Sequence, residues 1–166
     1  MSNFVYHPSF NGKHAEQRIM LDPAPIPRAD TRWYFSENPT TKANSQLLTP
    51  DQERIIFLQF NYCRWRASRD GGEWTAKGEA LKARIIEYNL ALVISMVCRF
   101  VNVGSSEYDD LVCEGNVSLL RSVELFDIGK GFKFSTYACH AICNIIFRRL
   151  RKKARELPTI PEPDLG

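Results

Sequence analysis

Residues 81–100 read LKARIIEYNLALVISMVCRF, and this stretch decides the fold class. Its large apolar side chains recur every three or four residues, the repeat of an α-helix with one buried face, whereas a half-buried strand would alternate with a period of two. The stretch therefore predicts a long helix that begins near Gly78 and ends before residues 104–106. The buried face consists of Leu81, Ile85, Tyr88, Leu92, Met96 and Phe100, widened by Ile86, Val93 and Val97.

The segment before this helix carries a helix start signal. Thr49 is a predicted N-cap, Pro50 suits the first helical position, and Gln52 suits the third, where its side chain can bond back to the cap. A helix is therefore predicted from Thr49 to the glycines near residues 70–72. Its apolar repeat is formed by Ile55, Leu58, Tyr62 and Trp65.

Two further helices are predicted after residue 104. Ser106 is the expected N-cap of the third helix, whose first turn carries carboxylates where the helix dipole favours anions. A loop with two glycines follows, and the fourth helix starts near Ser135 and continues into residues 151–153. The fold class is therefore predicted to be all-α, a compact bundle of about four main helices. The third helix buries Leu111, Val112, Leu119, Val123 and Phe126.

The two ends of the chain differ from the middle in composition. Residues 1–46 contain five of the nine prolines and no sustained apolar repeat, so they are predicted to form an extended N-terminal arm. Residues 47–155 form the predicted helical domain, and residues 156–166 are a Pro-rich tail or the start of a linker. Parts of the arm are expected to pack on the domain or on a partner because it is rich in rings: Phe4, Tyr6, Phe10, Trp33, Tyr34 and Phe35.

Composition excludes several classes of function. No run of eighteen apolar residues exists, so no membrane span is predicted, and five cysteines without paired spacing fit a reducing, cytoplasmic location. Cys139 and Cys143 could be half of a zinc site, but no second ligand pair follows at suitable spacing, so no metal or other cofactor is predicted. Three scattered histidines and no acid–base cluster make an enzyme improbable.

The basic residues are concentrated near the C-terminus. Eight lysines and arginines and no carboxylate lie between Lys130 and Arg155, although the net charge of the chain is only +3. Within this region residues 130–140, KGFKFSTYACH, alternate cations with rings. Phe134 continues an apolar helical repeat and is predicted to be core, whereas Phe132 and Tyr137 are predicted to be accessible. Cations that hold phosphates beside rings that stack on bases are typical of single-stranded nucleic-acid binding.

Four motifs together resemble the sigma-70 family of bacterial RNA polymerase sigma factors. They are NLALVIS at 89–95, DLVCEGN at 110–116, FD at 126–127 and GFKFSTYA at 131–138. The resemblance covers roughly residues 47–155, including a helix at 47–67 that looks like the region contacting the promoter discriminator. It implies a helical domain that docks on the beta-prime clamp helices of the RNA polymerase core and captures the single-stranded −10 non-template strand of promoter DNA. It also implies a nucleoid-associated protein with a possible anti-sigma factor as partner.

The resemblance assigns residues to two surfaces. On the third helix, Asp110, Glu114 and Val117 follow one another at spacings of four and three residues, so one face shows carboxylates beside an apolar edge. The alternative interpretation is that this face is simply exposed to solvent and binds no partner. The positions that match the family's core polymerase-binding surface are Asp110, Glu114, Asn116, Leu120 and Val123. The predicted DNA-binding residues are Phe126, Asp127, Lys130, Phe132, Lys133, Ser135, Thr136, Tyr137, His140, Asn144, Arg148 and Arg151.

The chain also departs from the family pattern. His140 and Ala141 stand where the family usually has two adjacent tryptophans that act as a wedge at the upstream edge of the melted DNA. Cys143 and Asn144 stand where the family has a basic or polar pair that contacts the duplex just upstream. The chain ends at Gly166, before the family's module that reads the −35 element, so a fragment and a protein that works without that module both remain open. A second hypothesis is a polymerase-docking module that competes with or adapts sigma factors without melting promoters. A duplex-binding repressor ranks lowest, because no short helix and tight turn precede the basic helix.

Overall fold

A computed structural model describes residues 4–21, 26, 28–35, 48–70 and 72–156. Within these ranges the chain has no strand, and short 3-10 turns occur at Pro8–Asn11, Arg32–Phe35 and Ile128–Lys130. The prediction of an all-α bundle is confirmed. The helices are α1 (Ala15–Met20), α2 (Pro50–Asp70), α3 (Glu73–Val97), α4 (Tyr108–Leu125) and α5 (Phe134–Glu156).

The predicted start of α2 is confirmed in atomic detail. The Gln52 backbone amide donates a hydrogen bond to Thr49 Oγ1 at 3.3 Å, and the Thr49 amide donates to Gln52 Oε1 at 2.9 Å. This reciprocal pair is a capping box, which satisfies two donors that the helix itself cannot satisfy. The helix ends at Asp70, as the glycines predict.

Two predicted helix starts are wrong. α3 begins at Glu73 rather than near Gly78, because Trp74 is buried against Tyr62 of α2 with ring centroids 5.7 Å apart. α4 is capped at Glu107 rather than Ser106, and the Glu107 side chain makes no capping bond. Instead its carboxylate pairs with Lys153 of α5. In both places a contact between helices outweighs the local signal.

The core lies where α2, α4 and α5 pack around α3. Gly115 on α4 permits a close approach of α4 to α3, because a Cβ atom at that position would lie 2.7 Å from Val93 Cγ1 on α3. The glycine of the EGN motif is therefore a packing residue that brings α4 onto α3. The side chains buried between these helices include Ile56, Phe57, Ile85, Val93, Val97, Leu119, Phe134 and Ile142.

The described part of the N-terminal arm is folded onto α2 and is not extended as predicted. Phe10 and Ile19 are 2% and 4% exposed, and the Phe10 ring lies 5.5 Å from Tyr62 and 5.7 Å from Trp65. α1 and the turn before it are stabilised because their apolar side chains bury surface against the rings of α2. This contact confirms the expectation that the arm packs on the domain. No helix among the described residues is long and apolar enough to cross a membrane.

Candidate nucleic-acid interface

The loop between α4 and α5 is shaped by its own polar and glycine residues. The Asp127 carboxylate accepts a hydrogen bond from the Gly129 backbone amide at 2.9 Å and caps the turn Ile128–Lys130. Gly131 ends this turn with a φ of 75°, a left-handed conformation that glycine adopts without a steric cost. The loop therefore has a defined conformation that presents Phe132 immediately before α5.

Three rings cluster where this loop meets α5. Phe132 is 43% exposed, Tyr137 is half-buried, and their ring centroids lie 6.5 Å apart with a 35° tilt. Phe126 is 1% exposed, and its ring lies 5.9 Å from Phe132 and 5.8 Å from Tyr137. The prediction that Phe126 touches DNA conflicts with this burial. The buried Phe126 ring instead supports the two accessible rings from the core side.

Phe134 belongs to the core, as its apolar spacing predicts. Its ring packs 4.9 Å from Phe57 and 5.2 Å from Phe126. Its backbone amide donates a hydrogen bond to Glu53 Oε1 on α2 at 2.9 Å. The first amides of a helix have no partner within the helix, so Glu53 caps α5 from a different part of the fold. No local pattern in the sequence indicates this role of Glu53, because the two residues are 81 positions apart.

Most of the other predicted DNA-binding residues are accessible. Ser135, like Asp127, is half-buried, and the rest are exposed: Lys130, Lys133, Thr136, His140, Asn144, Arg148 and Arg151. The last four recur at spacings of four, four and three on α5, so they form one continuous surface, the basic strip. Phe147 adds a 47% exposed ring beside this strip, and it rests on Phe100 with centroids 4.9 Å apart.

A small cavity of about 120 Å³ lies between α2, α3 and the start of α5. Lys133 and Ser135 line it from the loop and α5, and Asn89 lines it from α3. The Asn89 amide group donates to its own helix at Ile85 O, 2.7 Å away, which leaves the side-chain carbonyl oxygen for another partner. In the sequence, Asn89 is only the first residue of the motif at 89–95, and no sequence signal indicates the cavity that it lines. The full lining is Leu48, Pro50, Glu53, Tyr88, Asn89, Leu92, Lys133 and Ser135.

The predicted docking surface on α4 is only partly accessible. Asp110 and Leu120 are exposed, Glu114 and Asn116 are half-buried, and Val117 adds a 48% exposed apolar side chain. These residues form the docking face, a mixed acidic and apolar surface.

Val123 does not belong to this surface. Its side chain is fully buried in the main core, so it cannot contact a partner in this conformation. A motif match identifies the position in the family pattern, whereas the packing around α4 decides which side of the helix the residue faces. The docking face therefore consists of Asp110, Glu114, Asn116, Val117 and Leu120.

Other parts of the protein already contact the docking face and the adjoining turn. Arg149 of α5 lies 3.4 Å from the Asp110 carboxylate, and Tyr34 donates a hydrogen bond to Asn116 Oδ1 at 2.8 Å. Lys153 pairs with Glu107 and holds the pKa of that carboxyl below its usual value. α4 is thus connected to the basic end of α5 through ion pairs and to the N-terminal arm through Tyr34.

The two cysteines of α5, Cys139 and Cys143, are partly buried and pack against the hydrophobic core. Cys143 Sγ lies 3.5 Å from Met96 Sδ, and burial raises the pKa of the Cys139 thiol, which disfavours the thiolate that zinc needs. Within the described ranges, no group of three potential metal ligands is found.

Comparison with known proteins gives consistent matches. The family profile of sigma-70 region 2 matches residues 85–156. Proteins named RNA polymerase sigma factor SigA from Listeria monocytogenes and Listeria innocua are each 43% identical to the chain over 111 residues. Each match covers 67% of this chain and 26% of the relative, so the chain spans about a quarter of the length of these relatives.

Proposed function

Because the chain belongs to the sigma-70 family of RNA polymerase sigma factors, we propose that its helical domain binds core polymerase and captures the melted −10 strand of a promoter. The observation that carries this proposal is the ring cluster. Phe132 and Tyr137 are accessible, they rest on the buried Phe126, and Lys130 and Lys133 flank them. This arrangement offers stacking surfaces to bases and cations to phosphates at one place.

The energetics favour capture of a strand that is already open. Flipping one base out of a duplex costs a few kcal/mol, and a base stacked on an aromatic ring recovers about 1–3 kcal/mol. Phe132 and Tyr137 together can therefore offset the opening of one or two bases. The loop conformation set by Asp127 and Gly131 adds to this, because rings that are already positioned lose little entropy on binding. Capture of this kind requires no covalent bond to be broken in the protein or the DNA.

The cavity beside the rings extends the proposed path of the strand. Lys133, which directly follows Phe132 in the sequence, lines the cavity, and Asn89 and Ser135 supply polar groups at its walls. A strand held by Phe132 and Tyr137 can direct a neighbouring nucleotide toward this cavity. We include Asn89 in the proposed interface for this reason.

Docking on the polymerase is proposed to use the docking face of α4. Val117 and Leu120 provide exposed apolar surface, and Asp110 and Glu114 border it with negative charge. An apolar centre beside charges is typical of a protein interface in which the charges select the partner. The complementary partner is a basic and apolar helical surface, which fits the beta-prime clamp helices that the family resemblance implies.

One observation favours the second hypothesis, a docking module that does not melt promoters. His140 is exposed and Ala141 half-buried at the start of the basic strip, where a large flat side chain would be needed to stack on the edge of a duplex. The two hypotheses share the docking face. They differ in whether the bound protein opens DNA.

The proposal is tested with core polymerase and a fluorescent single-stranded −10 oligonucleotide. The anisotropy titration should give tighter binding to the complex than to core polymerase alone, and Phe132→Ala and Tyr137→Ala should each weaken it. Tyr6→Ala is the matched control, because Tyr6 is a 49% exposed ring outside the interface. Equal binding by the parent and both interface variants would refute strand capture by these rings. A complex that binds the oligonucleotide but opens no duplex promoter would support the second hypothesis.

A further inference from the structure

A segment of the N-terminal arm lies against the edge of the docking face. The turn Arg32–Phe35 places the Tyr34 hydroxyl 2.8 Å from Asn116 Oδ1, to which it donates a hydrogen bond across 82 residues of sequence. Asn116 is at the same time one of the residues assigned to polymerase docking. The Asn116 side chain is therefore bound within the protein by Tyr34 and is also part of the surface proposed to bind the polymerase.

The contact is part of a packed arrangement. Trp33 and Tyr34 pack edge to face with centroids 5.7 Å apart, and both lie against the main core. Upstream, Ile26 is 4% exposed and belongs to the same core. Burial raises the pKa of the Tyr34 hydroxyl, so it keeps the proton that it donates to Asn116. The segment is thus held on α4 by apolar packing and by one directed hydrogen bond.

We propose that the Trp33–Tyr34 segment competes with RNA polymerase for the Asn116 edge of the docking face, so that the free protein partly masks its own binding surface. The inference rests on the proposed docking function of α4. A partner that bonds to the Asn116 side chain must replace the Tyr34 hydroxyl. The apparent affinity for the polymerase is then reduced by the fraction of molecules in which the segment is in place.

The competition predicts a gain of affinity from a loss of contact. Tyr34→Phe keeps the ring and its packing but removes the hydrogen bond to Asn116. A neutral hydrogen bond corresponds to a change of roughly 2- to 10-fold in an equilibrium constant. Tyr34→Phe should therefore tighten binding to core polymerase by up to this factor, and Tyr34→Ala should tighten it further because the packing is lost as well.

Arg32→Ala is the matched control on the same turn. The Arg32 side chain is 91% exposed and pairs with Asp30 rather than with α4. An exposed pair of this kind contributes little to stability. Arg32→Ala should therefore bind core polymerase like the parent. Far-ultraviolet circular dichroism of each variant verifies that the helical content is retained.

Hydrogen exchange gives a readout that does not depend on affinity. Amides within residues 28–35 of the parent should exchange faster when core polymerase is bound, because the segment leaves α4, whereas amides of α4 should exchange more slowly. Tighter binding by Tyr34→Phe together with this loss of protection would establish the competition.

The opposite outcomes are equally clear. If the parent binds, if Glu114→Lys does not, and if the Tyr34 variants bind no more tightly than the parent, the docking function stands and the competition is refuted. Increased protection of residues 28–35 in the complex would also refute it, because the segment would then be part of the interface. Failure of the parent to bind core polymerase would overturn the proposed docking function and the inference with it.

Discussion

Glu53 in the first turn of α2 accepts a hydrogen bond from the backbone amide of Phe134, the first residue of α5, at 2.9 Å. The carboxylate thus lies at the positive end of the α5 dipole, where a negative charge is favourable. Phe132 and Lys133 lie immediately before this amide. The contact therefore fixes the point at which the loop between α4 and α5 enters α5, so a residue of α2 sets the position of the rings.

Removal of this cap should weaken both the fold and strand capture. Glu53→Ala leaves the Phe134 amide without its partner and should lower the free energy of unfolding by about 1–2 kcal/mol, the usual cost of losing a helix cap. Glu53→Gln keeps an acceptor and should lie between the parent and the alanine variant. Asp51→Ala is the control, since Asp51 is an exposed carboxylate in the same turn. Urea denaturation measures the stabilities, and equal midpoints for Glu53→Ala and Asp51→Ala would contradict the capping role.

The three rings should separate into one that stabilises the fold and two that bind the strand. Phe126→Ala removes a fully buried ring and should cost about 3–5 kcal/mol of stability. Phe132→Ala should change stability far less, because its ring is 43% exposed, but should cost about 1–3 kcal/mol of affinity for the single-stranded −10 oligonucleotide in the polymerase complex. Denaturation and anisotropy titrations measure the two effects. A large stability loss in Phe132→Ala with unchanged affinity would reassign that ring to the core.

Two helical glycines should respond to alanine in opposite directions. Gly115→Ala places a Cβ atom 2.7 Å from Val93 Cγ1 and should destabilise the fold by about 1–3 kcal/mol through overpacking. Gly78→Ala places its Cβ at an ordinary contact of 3.5 Å from Cys63 Cβ and should stabilise α3 by about 0.5–1 kcal/mol through the loss of backbone freedom. Adding Val93→Ala to Gly115→Ala should recover part of the overpacking cost. A neutral Gly115→Ala would mean that α4 can move away from α3 freely.

Charge reversal on α4 should separate docking from folding. Glu114→Lys places a cation on the docking face beside its apolar surface and should abolish co-purification with core polymerase while the helical content stays unchanged. Asp109→Lys is the control, because Asp109 is exposed on the same helix and was not assigned to docking. Polymerase retained by Glu114→Lys, or lost equally with Asp109→Lys, would contradict the assignment of the surface.

Sequence periodicity identified the four long helices, α2 to α5, because each buries one apolar face in the core, but it did not identify the short α1. The repeat from Leu81 to Met96 and the capping box at Thr49 are local signals, and both are realised in the structure, whereas Phe100, the last residue of the predicted repeat, lies beyond the end of α3 at Val97. Contacts between distant residues have no such signal. Tyr34 with Asn116 and Glu53 with Phe134 depend on how the helices pack, and periodicity does not report packing partners.

The candidate site divides in the same way. A motif match names Val123 and Phe126 as readily as Leu120 and Phe132, although the first two are buried and the others are exposed. All four are apolar, so residue type cannot distinguish a side chain that packs from one that binds. Whether a side chain packs in the core or is free to bind depends on the direction in which it leaves its helix or loop. That direction follows from the tertiary contacts.

The exposed start of the basic strip should limit how well the protein opens DNA. His140 presents a small ring and the half-buried Ala141 only a methyl group, so neither can cover the last intact base pair as a pair of tryptophans would. The protein should therefore depend on supercoiled or pre-melted DNA.

His140→Trp should increase opening of a linear promoter because position 140 is already exposed, and adding Ala141→Trp should increase it further if the half-buried site accepts the larger ring. Permanganate-reactive thymines in the reconstituted complex report opening. Ala76→Trp is the control, because Ala76 is exposed on α3 outside both proposed surfaces, so an added ring there should leave opening unchanged. If His140→Trp opens no more DNA than the parent, stacking at this edge does not limit melting, and His140 acts through a contact of its own.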